Sequence, residues 1–210
     1  MTRHSNHLIL EACVDSLEDA INAELRGANR IELCSAPDQD GLTPSMELTR
    51  MCIEKLSIPV MAMVRPRGGD FTYSESEIKK MEIDIENFKK AGVAGVVFGL
   101  LTKLNSIDME NTRRLTELAF PLEVTFHKAI DATNDLLNAF QELNSIGGIT
   151  RVLTSGGRNT AWNGRVALKT MNNLPGRRIK IIAAGKVLPE NRAQIAEFTG
   201  VTELHGKKIV

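Results

Sequence analysis

Eight short apolar runs, each followed by a stretch of helical periodicity, constrain this chain more than any other feature. They are Leu8–Val14, Arg30–Cys34, Pro59–Val64, Val93–Gly99, Leu122–Ala129, Arg151–Ser155, Lys180–Gly185 and Thr202–His205. Short runs of apolar and β-branched residues bounded by turn formers read as buried strands. Between them, apolar residues recur at three- and four-residue spacing, as in Leu17, Ala20, Ile21 and Leu25, in Leu48, Met51, Cys52 and Leu56, and in Ile78, Met81, Ile85 and Phe88. Ser16, Ser45 and Asp108 are placed to cap helices, and Ser74 with Glu77 makes a capping-box pattern. Helices are also expected around Leu136–Leu143, from Trp162 to Met171, and after Pro189, which suits a first helical turn. Strict βα alternation implies a parallel sheet, and eight units of roughly 25 residues close into a (β/α)₈ TIM-type barrel. An open doubly wound sheet is disfavoured, because no G-x-G-x-x-G follows a strand.

The alternation runs through the whole chain without linker or composition shift, so one domain spanning 1–210 is expected. The sequence ends five residues after His205, which leaves the last outer helix missing or irregular. The seam between the eighth and first strands then needs a cover: the N-terminal segment, a loop, the last residues or another subunit. Leu8 and Leu10, opposite Glu11 in the strand alternation, should face that seam. A homo-oligomer, in its simplest form a two-fold dimer, is the expected solution.

Composition excludes several function classes. Lys plus Arg (26) equals Asp plus Glu (26) and no basic run occurs, which argues against nucleic acid or an anionic membrane as partner. No apolar run reaches the roughly 18 residues of a membrane span. The start, M-T-R-H-S-N-H, is too polar for a signal peptide. The three cysteines form no C-x-x-C pair, and a cytoplasmic protein with reduced thiols is expected.

Polar side chains collect where the strands end. Glu11 and Cys13 share a strand face, as do Glu32 and Cys34, and Thr125 and His127. Arg65, Thr154, Gly185 and His205 extend the ring. In a parallel barrel the carboxyl ends of the strands carry the chemistry, and a core strand has no folding reason to hold Glu, Arg or His. Glu11, Glu32, Arg65 and His127 are therefore the catalytic candidates, with a self-satisfied ion network as the alternative. Arg65 and Arg67, beside the Gly68-Gly69 turn, suit a carboxylate or phosphate, although they could equally brace the loop. Thr154, Ser155 and Gly156, with Gly185, offer donors for the same kind of anion. Cys13 and Cys34 lie on adjacent strands roughly 4.8 Å apart. Two thiolates there could meet a soft ion such as Cu(I), or be ordinary buried cysteines. Cys52 sits on the apolar face of its helix and reads as core.

Several of these stretches also resemble a known family. E-A-C-V-D-S-L-E-D-A (Glu11–Ala20), R-I-E-L-C-S (Arg30–Ser35), G-L-T-P-S (Gly41–Ser45), R-P-R-G-G-D-F-T-Y (Arg65–Tyr73), T-F-H-K-A-I-D (Thr125–Asp131) and R-V-L-T-S-G (Arg151–Gly156) are similar, in order, to the CutC copper homeostasis proteins. The resemblance implies a TIM-barrel-like fold, a cytoplasmic location and a role in copper handling. It also implies that Cys13 and Cys34 are copper ligands; His127, at a strand end in the same ring, is read as a candidate auxiliary ligand. Asp40 and Lys186 stand where the family usually has glycine, Lys128 where it has arginine, and Ile130 where it has phenylalanine. The alternative function is a TIM-barrel enzyme acting on a small anionic metabolite, a phosphate or a carboxylate.

Overall fold

The structure, a computed structural model, describes residues 8–210. The polar start of the chain lies outside the described residues. Eight parallel strands, each hydrogen-bonded to the next and the eighth to the first, close into a barrel. They are β1 (Ile9–Val14), β2 (Arg30–Leu33), β3 (Val60–Met63), β4 (Gly95–Phe98), β5 (Glu123–Phe126), β6 (Ile149–Thr154), β7 (Lys180–Ala183) and β8 (Glu203–Gly206). Helices α1 (Leu17–Leu25), α2 (Met46–Lys55), α3 (Glu75–Ala91), α4 (Met109–Ala119), α5 (Leu136–Ser145), α6 (Arg165–Asn172) and α7 (Arg192–Thr199) form the outer ring. Among the described residues seven α-helices accompany the eight strands, and no helix follows β8.

The helices start where local chemistry says they should. The hydroxyls of Ser16 and Ser45 and the carboxylate of Asp108 accept the free N–H groups of α1, α2 and α4, which have no partner inside the helix. Ser74 and Glu77 make both halves of the capping box on α3. Ile78, Met81, Ile85 and Phe88 then turn one stripe of α3 into the core, and Cys52 is fully buried in α2. Leu25 and Met51 were expected inside but are 80% and 37% exposed. Leu25 is the last residue of α1, beyond the reach of the barrel wall. Three boundaries also differ from the periodic reading. Strand β5 stops at Phe126, and Lys128–Ala132 forms a 3₁₀ turn that His127 caps. Trp162 precedes α6 and stacks edge-on with Phe198, and Pro189 lies in the turn before α7 rather than in its first turn.

The seam between β8 and β1 is closed by pairing: Ile9 faces Glu203, Leu10 faces Leu204 and Glu11 faces His205. The last residues fold back against the barrel, with Ile209 buried and its carbonyl accepting from Arg192 at 2.6 Å. Leu8 and Leu10 remain half-buried, packed on the main core. No helix among the described residues is long and apolar enough to cross a membrane.

Candidate functional site

Charged residues line the barrel from its amino end upward. Glu203, at the start of β8, is 1% exposed. It receives Arg30 Nη2 at 2.6 Å, Arg151 Nε at 3.0 Å and Lys180 Nζ at 3.3 Å. Arg151 also reaches Glu123 at 2.6 Å. Arg30 turns its Nε to Glu11, and Glu11 in turn bonds His205 Nδ1 at 2.9 Å. Six strands, β1, β2 and β5 to β8, are thereby tied together by one ionic chain. Burial pushes the Glu11 carboxyl up, but Arg30 and then His205 outweigh it and hold it at about 2. Burial also opposes the charge on His205, yet Glu32 and Glu11 raise its pKa above the ordinary value. An ionised Glu11 makes Nδ1 the donor, so Nε2 of His205 points on toward Glu32, 3.7 Å away.

Above this chain lie the sulfurs. Cys13 follows Glu11 by two on β1, Cys34 follows Glu32 by two past β2, and their Sγ atoms are 3.8 Å apart. Cys13, Glu32 and His205 each place one donor atom within 4.8 Å of the others. Cys34 adjoins that trio through Cys13. The Cys34 bond, burial and Glu32 together push the Cys13 thiol well up. Burial likewise raises Glu32, only partly offset by His205. Glu32 Oε1 has no hydrogen-bond partner among the described residues. Gly41 makes room for Cys34: a Cβ there would sit 3.3 Å from Cys34 Cβ and 3.4 Å from its Sγ.

A cavity of about 880 Å³ opens over these groups at the carboxyl ends of the strands, with Arg65, Phe71 and His127 in its wall. Arg65 is buried and gives its two terminal nitrogens to the carbonyls of Gln39, Gly41 and Gly69 at 2.8, 3.3 and 3.0 Å. Its guanidinium lies 4.9 Å from the centre of the Phe71 ring. Arg67, partly exposed, bonds Glu77 at 2.6 Å, Asp70 at 2.9 Å and the Thr72 carbonyl at 2.7 Å; it binds the loop to the start of α3. His127 Nδ1 accepts the Ala129 N–H at 3.2 Å, and Gly99 lets the ring pack, since a Cβ there would lie 2.4 Å from Nδ1. Burial, reinforced by Arg65, lowers His127 to about 3.

The T-S-G-G turn already holds an anion of the protein's own. Asp131 takes the N–H groups of Ser155 at 2.9 Å and Gly157 at 2.8 Å, the Ser155 hydroxyl at 2.8 Å and the Thr154 hydroxyl at 2.5 Å. Gly185, φ +99, packs on the Ser155 side chain and receives Ala161 N–H on its carbonyl. Of the residues singled out from sequence, the fold gathers Glu11, Cys13, Glu32 and Cys34 around His205, and sets Arg65 and His127 in the wall of the same cavity. Asp131 was part of a quoted motif but carried no assigned role. Its signal was a carboxylate just past strand five, the expected neighbour of strand six and its donor-rich turn.

The sequence profile of the CutC family matches residues 8–210. The chain belongs to the CutC family. A human copper homeostasis protein cutC homolog is 42% identical over 96% of this chain and 73% of its own length. A CutC family protein of Vibrio campbellii is 44% identical over 93% of this chain and 80% of its own. Among solved structures, the CutC protein of Streptococcus agalactiae superposes with a TM-score of 0.91 at 31% identity, covering 97% of this chain and all of that one. A phosphonopyruvate hydrolase, TM-score 0.69 at 16% identity, shares the barrel fold alone.

Asp40 and Lys186 have φ of +61° and +54°. That is the left-handed region, which costs an L-residue about 1–2 kcal/mol relative to glycine. Both flank the cavity mouth, so charged side chains at the rim come at the expense of backbone strain.

Proposed function

We propose that the protein binds Cu(I) as cargo at the barrel mouth, with Cys13 and Cys34 supplying the thiolates. The observation that carries this reading is the 3.8 Å separation of the two sulfurs. With the zinc–thiolate length of about 2.3 Å as a guide, two sulfurs on one tetrahedral centre stand roughly 3.8 Å apart. The pair is therefore spaced for a shared ion without backbone movement. Soft sulfur donors select Cu(I) over harder cations, and the copper homeostasis name of the relatives supports the choice. Glu32 and His205, beside Cys13, would serve as further donors or as acceptors for released protons. Because the Cys13 thiol is held high, ion uptake expels a proton and strengthens as pH rises. Three free cysteines accord with a reducing, cytoplasmic setting. Anaerobic Cu(I) titration against a competing chelator tests the site. The Cys13→Ser, Cys34→Ser double variant should lose it, while Cys52→Ser keeps it. A double variant that binds as tightly as the parent would overturn the assignment.

A second reading, acid–base catalysis on a small anionic metabolite, is favoured by the Glu11–His205–Glu32 chain. Two buried carboxyls are pushed in opposite directions, Glu11 down and Glu32 up. That divergence separates an acid from an ionised partner at one pH. Glu32 would be the proton donor, and Glu11 would orient His205.

A further inference from the structure

The cavity wall contains two buried hydrogen-bond donors that nothing among the described residues satisfies: Arg65 Nε and His127 Nε2. Arg65 is 3% and His127 5% exposed, and both residues line the cavity, their orphan nitrogens buried just behind its surface. The tautomer of His127 follows from its surroundings. Ala129 N–H can only donate, so Nδ1 must accept, and the neutral ring carries its hydrogen on Nε2. His127 thus offers the cavity an N–H and not a lone pair. Arg65 is a buried cation whose terminal nitrogens meet only main-chain carbonyls. Carbonyls share its hydrogens but do not neutralise its charge, and a buried charge without a counterion is costly. The rim adds Lys128, Arg158, Lys186, Lys207 and Lys208, so six cations line the cavity against the carboxylates of Glu32, Asp40 and Asp131.

We infer that this cavity binds the carboxylate group of a small organic acid, one oxygen on Arg65 Nε and the other on His127 Nε2. Two orphan donors match the two oxygens of a carboxylate. A phosphate dianion would call for more donors, and the turn best able to supply them is filled by Asp131. Phe71, against both the Arg65 guanidinium and the His127 ring at 5.1 Å, provides an apolar wall for the carbon skeleton. Glu32 Oε1, the unpaired acceptor in the cavity lining, suits a hydroxyl or amine on the same ligand. Arg67 has no part in this, because Asp70, Glu77 and the loop carbonyls take its donors. The inference gives the acid–base reading its substrate class. Its two anchors, Arg65 and His127, stand apart from the sulfur ligands of copper, which lie on other strands; Glu32 borders both.

The test uses the full chain, metal-free, with acetate, lactate, succinate and inorganic phosphate as probes in calorimetric titration at constant ionic strength. At least one carboxylate should bind saturably. In ¹⁵N-histidine NMR the His127 Nε2–H resonance should be present in the free protein and move during that titration. His127→Phe, which keeps the packing, should weaken binding at least about tenfold, the loss of one charge-assisted hydrogen bond, and Arg65→Lys should do the same. Arg65→Lys should still take up Cu(I) like the parent. Failure of every carboxylate to saturate, parental affinity in His127→Phe, or a stationary Nε2–H signal would each overturn the subsite. Equal, His127-dependent binding of phosphate would overturn the carboxylate assignment. A carboxylate that binds but is never transformed, and whose presence leaves Glu32→Gln indistinguishable from the parent, removes the acid–base reading and leaves the subsite standing.

Discussion

Replacing Glu203 by glutamine should destabilise the protein by about 3 kcal/mol, the lower part of the 3–5 kcal/mol range for removing one partner of a buried ion pair. The structure sets where in the range the value falls. Glu203 is the common acceptor of Arg30, Arg151 and Lys180. Lys180 is 62% exposed and can return to water, so its share is near zero. Arg30 and Arg151 are buried, with 5% and 8% of their side chains accessible, but each keeps a second carboxylate, Glu11 and Glu123 respectively. The variant therefore leaves two half-paired guanidinium groups, not two bare ones. Two charged hydrogen bonds at about 1.5–3 kcal/mol each bound the loss from above, since the glutamine carbonyl can still accept one. For a chain of this size, about 3 kcal/mol lowers Tm by roughly 6–12 °C. Urea unfolding followed by circular dichroism measures it, with Lys180→Ala as a control expected within about 0.5 kcal/mol of the parent. A loss under about 1 kcal/mol for Glu203→Gln would mean that the amino end of the barrel is hydrated and the ionic chain does not bear on stability.

Acid should act on the protein through His127. Its folded pKa of about 3 lies below the ordinary 6.5, so the unfolded chain binds the extra proton in that window. The stability from burying the neutral ring is complete above pH 6.5 and is lost as pH falls toward 3. His127→Gln should flatten the fall in stability between pH 6 and 4, values taken inside that window; a slope equal to the parent's would refute the assignment. Light scattering at micromolar concentration tests the expected two-fold dimer, for which half-buried Leu8 and Leu10 remain at the β8–β1 seam. A species that stays monomeric on concentration would mean that the folded-back tail around Ile209 is cover enough.

Periodicity and capping chemistry determined the strand and helix order, because both depend on residues close in sequence. The rule that side chains alternate along a strand placed Glu11 with Cys13 and Glu32 with Cys34 before any coordinates. The break after Phe126 was not legible, since Lys128–Ala132 is as apolar as the strand before it and only closure of the barrel ends the pairing. Tertiary structure alone decided which charges meet. Arg30 and Glu203 are 173 residues apart, and nothing local distinguishes a guanidinium that will find a carboxylate from one that will not. Arg65 and Arg67, two residues apart, illustrate the point. Arg67 points along the surface into Asp70 and Glu77, while Arg65 turns inward to carbonyls and keeps a buried Nε–H without a partner among the described residues. Asp131 came to fill the T-S-G-G turn for a related reason: the βα alternation makes β5 and β6 neighbours, but only the folded loops decide that this carboxylate turns onto the Ser155 and Gly157 N–H groups rather than into solvent.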